Sequence, residues 1–184
     1  MKKSLIAAVV LASASFASSA VMAQTVVGNS PQALKLTDNS AFFGDTFGMN
    51  NNGNTFADRF TFSVGGATGA PGTNLDAIIS SISRTADVGL DITGLALYGT
   101  GDKLITSGTS VHTGAMDVWT LSSSNLAAGD YYIRVNGNLV SNAGASFGGA
   151  VMLAPVPEPE TYGMMLGGLG VLGFLARRRK AKQA

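Results

Sequence analysis

The chain has 184 residues, with 12 Lys+Arg against 11 Asp+Glu, one His and no Cys, for a formal net charge of +1. Seven of the basic residues are terminal (Lys2, Lys3, Arg177, Arg178, Arg179, Lys180, Lys182), so the body from 24 to 154 keeps five (Lys35, Arg59, Arg84, Lys103, Arg134) against nine aspartates, a net of −4. That balance argues against nucleic-acid binding, and the composition excludes disulfide frameworks, thiolate zinc sites, cysteine nucleophiles and His-rich metal sites.

The N-terminus opens on Lys2 and Lys3. An apolar run follows over 5–16, interrupted by Ser13 and Ser15. Val21 and Ala23 supply the small side chains that a signal peptidase reads, which places cleavage between Ala23 and Gln24. The run is short for a membrane span of about 20 residues. Residues 1–23 therefore read as a signal peptide that sends the body out of the cytoplasm. A body without cysteine must then fold on its core alone.

Residues 24–154 have the size of one domain. Gly, Asn, Ser and Thr punctuate short runs of β-branched and aromatic residues, the pattern of an all-β, single β-sandwich domain of jelly-roll or Ig-like kind. Strands are expected at 25–27, 33–36, 56–64, 88–92, 117–121, 131–135 and 150–153. A hairpin is expected from 95–98 and 103–107 across 99–102. The stretch 75–82 carries two periods. Leu75, Ile78, Ile79 and Ile82 fall at helical spacing, while Ile78 and Ile82 also fit one strand face around Ser80; the strand is favoured because the neighbours are strands. Residues 50–54 read as a loop, since Asn and Gly tolerate left-handed backbone.

Strict alternation over 56–64 puts Asp58 on the same face as Phe56 and Phe60. An inward carboxylate needs backbone N–H groups, an Arg or a cation. Asp58 is expected to tie down a neighbouring loop, such as the 50–54 turn; the alternative is a bulge that turns it to solvent. Other motifs carry less. Gly144-Ala145-Ser146-Phe147-Gly148 spells a nucleophile elbow, but the one His, His112, lies upstream, so a Gly-rich turn is expected. His112 sits in a Ser/Thr/Gly-rich stretch, 107–114, that reads as a surface loop. The 48–53 stretch lacks the first and last acidic ligands of an EF-hand. Asp87, Asp91 and Asp102 leave a loop-built Ca²⁺ site open, although no spacing selects a metal ligand set. Trp119 is expected to pack in the core. Tyr131 and Tyr132 face opposite ways in a strand. An exposed Tyr98 or Tyr132 would serve as a sugar platform and make the body a carbohydrate-binding module. No acid, base and nucleophile converge, so the expectation is a non-enzymatic protein without cofactor.

The C-terminus, from 155, has three zones. Pro155, Pro157 and Pro159 stiffen 155–159. Residues 163–176 carry no charge and as a helix extend about 21 Å, against about 30 Å of bilayer hydrocarbon. Tyr162 and snorkelling arginines can narrow that gap, which yields a short transmembrane helix over 162–176 and a basic tail over 177–184. Positive-inside orientation keeps the arginines cytoplasmic and the body outside, in agreement with the signal peptide.

Val156-Pro157-Glu158-Pro159-Glu160-Thr161, the short apolar helix and then Arg177, Arg178 and Arg179 together resemble the PEP-CTERM sorting signal over 155–184. The body motif Phe56, Asp58, Phe60 is similar to that of the FxDxF subfamily of PEP-CTERM proteins, and 126–135 resembles a late strand of exported bacterial β-sandwiches. The resemblance implies a Gram-negative exporter, a transient hold in the inner membrane and recognition by an exosortase. It further implies removal of the tail and delivery to the cell surface or to the exopolysaccharide matrix of a biofilm.

Overall fold

The structure, a computed structural model, describes residues 25–26, 30–66, 72–156 and 159–181. The expected signal peptide and its Ala23/Gln24 cleavage site lie outside the described residues. In chain order the strands are β1 (Thr25–Val26), β2 (Gln32–Ala33), β3 (Ser40–Phe47), β4 (Thr55–Val64), β5 (Thr73–Ile82), β6 (Leu90–Gly99), β7 (Lys103–Ser107), β8 (Thr109–His112), β9 (Met116–Leu126), β10 (Gly129–Leu139) and β11 (Ala145–Pro155); a helix, α1 (Pro159–Ala181), closes the described chain.

The chain is mostly strand, in two sheets. The first runs β1-β4-β10-β6-β7, with β2 also on β4; the second runs β3-β11-β5-β9-β8. Every pairing is antiparallel except those of β1 and β2 with β4. The inner faces follow from alternation. On β4, Phe56, Asp58, Phe60, Phe62 and Val64 are buried, and on β3 so are Ala41, Phe43, Asp45 and Phe47. One apolar cluster joins both sheets. Aromatic rings interleave across it: Phe43 meets Phe60 at 4.7 Å, Phe47 meets Phe56 at 4.5 Å, and Phe147 of β11 meets Phe56 at 5.5 Å and Phe60 at 6.1 Å. The two sheets thus face each other in the manner expected of a sandwich.

A polar seam joins them along one side. Strand β7 covers β6 only over Ala96–Gly99, which leaves the Ile92 edge of β6 without a strand neighbour on that side. Side chains of β9 fill the gap. The Ile92 N–H donates to Asp117 Oδ2 at 2.8 Å, and the Ile92 carbonyl accepts from Trp119 Nε1 at 3.0 Å. Both backbone groups would otherwise be orphaned, at a cost comparable to a lost hydrogen bond each. Trp119 is half-buried and packs against the core, as expected.

Several strands depart from expectation. Strand β3 is unforeseen because Gly44 and Asp45 interrupt its apolar pattern. The 107–114 stretch forms β8 instead of a loop, so His112 lies on a short edge strand. The expected strands 88–92 and 95–98 are one strand, β6, with an irregularity opposite Asn136/Gly137, and Val88 lies before it. Strand β11 already includes Ala145 to Gly148, so the expected Gly-rich turn there is strand. The 75–82 stretch is a strand, but its buried face is Leu75, Ala77, Ile79 and Ser81; Ile78 and Ile82 point outward, 48% and 77% exposed.

Close packing has one strict requirement in β10. A Cβ at Gly137 would stand 2.3 Å from Phe56 Cζ and 2.5 Å from the Asp91 carbonyl oxygen, whereas one at Gly148 would meet nothing within 4 Å. Gly137→Ala should therefore cost about 1–3 kcal/mol of stability, and Gly148→Ala less than about 0.5 kcal/mol. Urea unfolding of the two variants checks the contrast; equal midpoints would contradict the packing described.

Candidate functional site

Three places in the molecule carry chemistry beyond packing: the C-terminal segment, a pair of acids in the core, and the outer face of the first sheet.

The C-terminal segment begins where the body ends. Strand β11 lies between β3 and β5 and pairs as far as Pro155 with Thr73. The Val156 N–H then donates to the Gly72 carbonyl at 3.0 Å, and no strand follows among the described residues. Of the expected sorting residues, Pro157 and Glu158 lie outside the described residues. Pro159 opens α1, where a missing N–H costs nothing, and Glu160 sits in its first turn, favoured by the helix dipole. Arg177, Arg178 and Arg179 fall near the other end, where positive charge is favoured, and Arg178 is exposed. The helix starts earlier than the expected 162–176 span. No described side chain of α1 is buried, and Met164, Leu166 and Phe174 are all more than half exposed. A helix apolar all round, with nothing to pack against, calls for another apolar medium. Yet no helix among the described residues is long and apolar enough to cross a membrane, which corrects the expected transmembrane helix. The physical reason lies in the sequence: the uncharged stretch 161–176 extends about 24 Å, and five of its residues are glycines that add little apolar surface.

The motif residues Phe56, Asp58 and Phe60 sit together on the inner face of β4, with Asp58 at 1% exposure between the two rings. The expected tie between Asp58 and the 50–54 turn is not formed. That turn is held by β10 and the loop after it: Gly53 N–H to the Leu139 carbonyl at 2.8 Å, and Asn50 N–H to the Asn142 carbonyl at 3.0 Å. Nor does a bulge turn Asp58 outward. Its polar neighbour is Asp45, also buried, on the facing strand β3; Asp45 Oδ1 accepts the Thr46 N–H at 2.7 Å. Neither Asp58 oxygen meets a donor at hydrogen-bond distance. Two ionised carboxylates here would repel in a poorly solvated interior, and a proton held between them turns repulsion into attraction. Burial first, then the Asp45 charge and the shared proton, push Asp58 from 3.8 up to about 7.

On the outer face of the first sheet, the Tyr98 and Tyr132 rings stack at 5.0 Å and 6°. The Arg59 guanidinium lies 4.7 Å from the Tyr132 ring centre. Asp102 clasps this stack from the β6–β7 connection, accepting from the Tyr132 hydroxyl at 2.8 Å and from Arg59 Nη1 at 3.3 Å. Tyr132 is thereby covered on both faces, and Tyr98 is the half-exposed end of the stack. Tyr131 faces the other way, as expected, stacked on Phe62 at 6.0 Å. A cleft of about 460 Å³ opens beside the clasp, lined by Leu34, Thr61, Ser63, Asp102, Asp130 and Tyr131 among others.

The remaining candidates disperse. Asp87 and Asp91 interact near the start of β6, where burial and then the Asp117 and Asp87 charges raise the Asp91 pKa; Asp102 belongs to the clasp at the far end of that strand. No group of three His, Cys, Asp or Glu suited to a metal is found among the described residues. His112 Nδ1 lies 2.8 Å from the Met116 carbonyl oxygen. Sequence reasoning missed Asp45, Asp117 and the facing arginines of β4 and β10, because each depends on strand pairing far apart in the chain.

Residues 155–180 match the family model of the PEP-CTERM protein-sorting motif. The match starts on the last residue of β11 and ends within the last turn of α1. It implies an exported protein sorted by an exosortase, with a membrane-associated C-terminal signal. It covers the tail alone and does not extend to the Phe56/Asp58/Phe60 motif. No curated protein matches the chain.

The Asp58 proton has a measurable sign. The folded state holds a proton that the unfolded chain releases near 3.8. Stability is therefore fullest below about pH 4, falls by up to about 1.4 kcal/mol per pH unit toward neutrality, and levels off above pH 7. Urea midpoints between pH 4 and 8 should show this decline. Asp58→Asn, whose amide can donate to Asp45, should flatten it. A decline of unchanged slope in the variant would place the responsible proton elsewhere.

Proposed function

We propose that the chain is an exported, non-enzymatic surface or extracellular-matrix protein of a Gram-negative cell, processed by signal peptidase and exosortase and linked to the exopolysaccharide of a biofilm. The observation that carries this reading is that the 155–180 sorting motif begins on the last residue of β11 and its described remainder contributes no strand to either sheet. A processing enzyme can remove such a tail without opening the body. The exposed apolar helix gives it a temporary hold in the inner membrane. Its Gly content and short uncharged stretch suit release better than permanent anchorage.

For the body we favour the jelly-roll form of the sandwich. Its support is the wiring: β3 leads to β4, β5 to β6, β9 to β10 and β10 to β11, each step passing from one sheet to the other. The non-enzymatic reading draws support from the cleft. Both of its aspartates are engaged, Asp102 in the Tyr132/Arg59 clasp and Asp130 accepting from Ser63 Oγ at 2.6 Å. Asp58 and Asp91, whose pKa values burial raises, lie away from it. A second reading, a carbohydrate-binding module for exopolysaccharide, draws its support from Tyr98, the half-exposed end of a parallel Tyr98/Tyr132 stack on an outer sheet face.

Intact-mass measurement of the protein released from an expressing host should show that 177–184 are gone. Deleting the exosortase, or changing Pro157, Glu158 and Pro159 together to Ala, should leave the full-length chain in the membrane fraction. Full-length protein in the released fraction of the wild-type host would refute the sorting reading.

A further inference from the structure

The outer face of the first sheet contains a charge arrangement that the fold does not need. Arg59 on β4 and Arg134 on β10 are direct register partners. Like charges placed opposite each other across two strands repel. Two of the body's five basic residues thus share one spot in a domain of net −4. Arg59 is answered within the chain by Asp102 and the Tyr132 ring. Arg134 is not: its Nε donates to Asn136 Oδ1 at 3.0 Å, and it forms no ion pair among the described residues. Its terminal N–H groups, a planar fork suited to a carboxylate, are left to an outside partner.

The surroundings of Arg134 narrow the identity of that partner. Its register neighbour on β6 is Ala96, and the next row pairs Asn136 with Ala57 and Gly94. These small residues leave the guanidinium unroofed. The preceding row holds Tyr132 and Tyr98. Tyr98 is the diagonal neighbour of Arg134, a backbone separation of about 7–8 Å. One face of Tyr98 rests on Tyr132, Leu104 of β7 is its register neighbour on the other side, and its half-exposed tip carries a hydroxyl that makes no hydrogen bond among the described residues. A flat aromatic with a free polar tip beside an unanswered guanidinium fits a sugar ring followed by a carboxylate. Along β10, Asp130 lies beyond one end of the patch and Asp91, opposite Asn138, beyond the other, so a polymer charged at every unit, such as a nucleic acid, would meet repulsion at both ends.

We propose that this patch binds an anionic polysaccharide in which uronic acid units are spaced among neutral sugars. Arg134 takes the uronate carboxylate, Tyr98 supports the adjoining ring, and Asn136 offers its amide to ring hydroxyls. The inference rests on the carbohydrate-binding reading and adds the charge class of the glycan and the residue that reads it.

Calorimetric titration of the purified full-length chain in mild detergent tests it, with four probes: hyaluronan oligosaccharides, which alternate uronate with a neutral sugar, the same oligosaccharides after carboxyl reduction, dextran, and single-stranded DNA. Hyaluronan should bind, more weakly as salt rises, and carboxyl reduction should weaken binding at least about tenfold. Arg134→Met and Tyr98→Ala should each lower hyaluronan affinity at least about tenfold, with Arg134→Lys between Met and wild type. Phe42→Ala, on the outer face of the other sheet, should change nothing. If hyaluronan binds but neither carboxyl reduction nor Arg134→Met weakens it, the uronate assignment falls while carbohydrate binding stands. If no saccharide binds, the carbohydrate reading itself falls; if DNA binds more tightly than hyaluronan, the patch is a phosphate site and the proposal is overturned. Should Arg134→Met fail to fold, the carboxyl-reduced probe reads the same contact with the wild-type chain.

Discussion

Everything in this molecule depends on five phenylalanines meeting between two sheets. Phe56 and Phe60 from β4 wedge against Phe43 and Phe47 from β3 and Phe147 from β11. No disulfide can help, since there is no cysteine. Aromatic rings bury large areas and gain further from tilted and edge contacts, so a few of them can hold two layers together. The rest of the design protects this contact. Gly137 clears room for Phe56, and Gly149 has Phe43 and Ile79 against it with no space for a Cβ. The Asp117 and Trp119 bonds to Ile92 close the flank where strand pairing runs out.

Placing two acids beside this cluster appears contrary to its logic, and the cost is contained by protonation. Asp45 keeps one backbone N–H, and Asp58 faces it from the other sheet. Burial, and then the neighbouring Asp45 charge, favour the protonated form of Asp58. The inward position of Asp58 follows from the same alternation that places Phe56 and Phe60 in the core. Asp58 is buried because its neighbours on that face are, and a raised pKa is the consequence. Burial distinguishes these two acids from the exposed Asp102 and Asp130.

What could be read from the chain and what could not divides along one line. Alternation is local, so β4 and the inward position of Asp58 were legible, as were the ends of the 103–107 hairpin arm and the outward turn of Tyr132 relative to Tyr131. The C-terminal zones are contiguous, so the sorting motif was legible too. Contacts that depend on sheet pairing were not. Asp45 and Asp58 meet only because β3 and β4 lie in opposite sheets, and Arg59 meets Arg134 only through the β4–β10 register. Strand β3 escaped notice because the very residue that makes it interesting, Asp45, breaks its apolar rhythm. The outward Ile78 and Ile82 misled the reading of β5, because an apolar residue at the surface carries no signal of its direction.

The tail and the body share no chemistry, and that separation is itself informative. Strand β11 is an interior strand, paired on both sides, so the body is complete by Val156 and loses no hydrogen-bonded edge when the segment beyond it goes. The helix buries none of its described side chains, so the body gains no stability from it. A segment that neither covers an edge nor fills a core can be attached to any fold whose last strand ends at the surface. Sorting information in such a chain says where the body is delivered and nothing about what it does there. The body's activity must therefore be argued from its own two outer faces, and these differ: the second sheet presents Phe42, Ile78 and Met152 with Asp76 as its charged neighbour, while the first presents stacked tyrosines and paired arginines. The second sets its apolar side chains among the hydroxyls of Ser40, Thr120 and Ser122, whereas the first sets guanidinium donors beside aromatic rings, the better match to an anionic polar ligand.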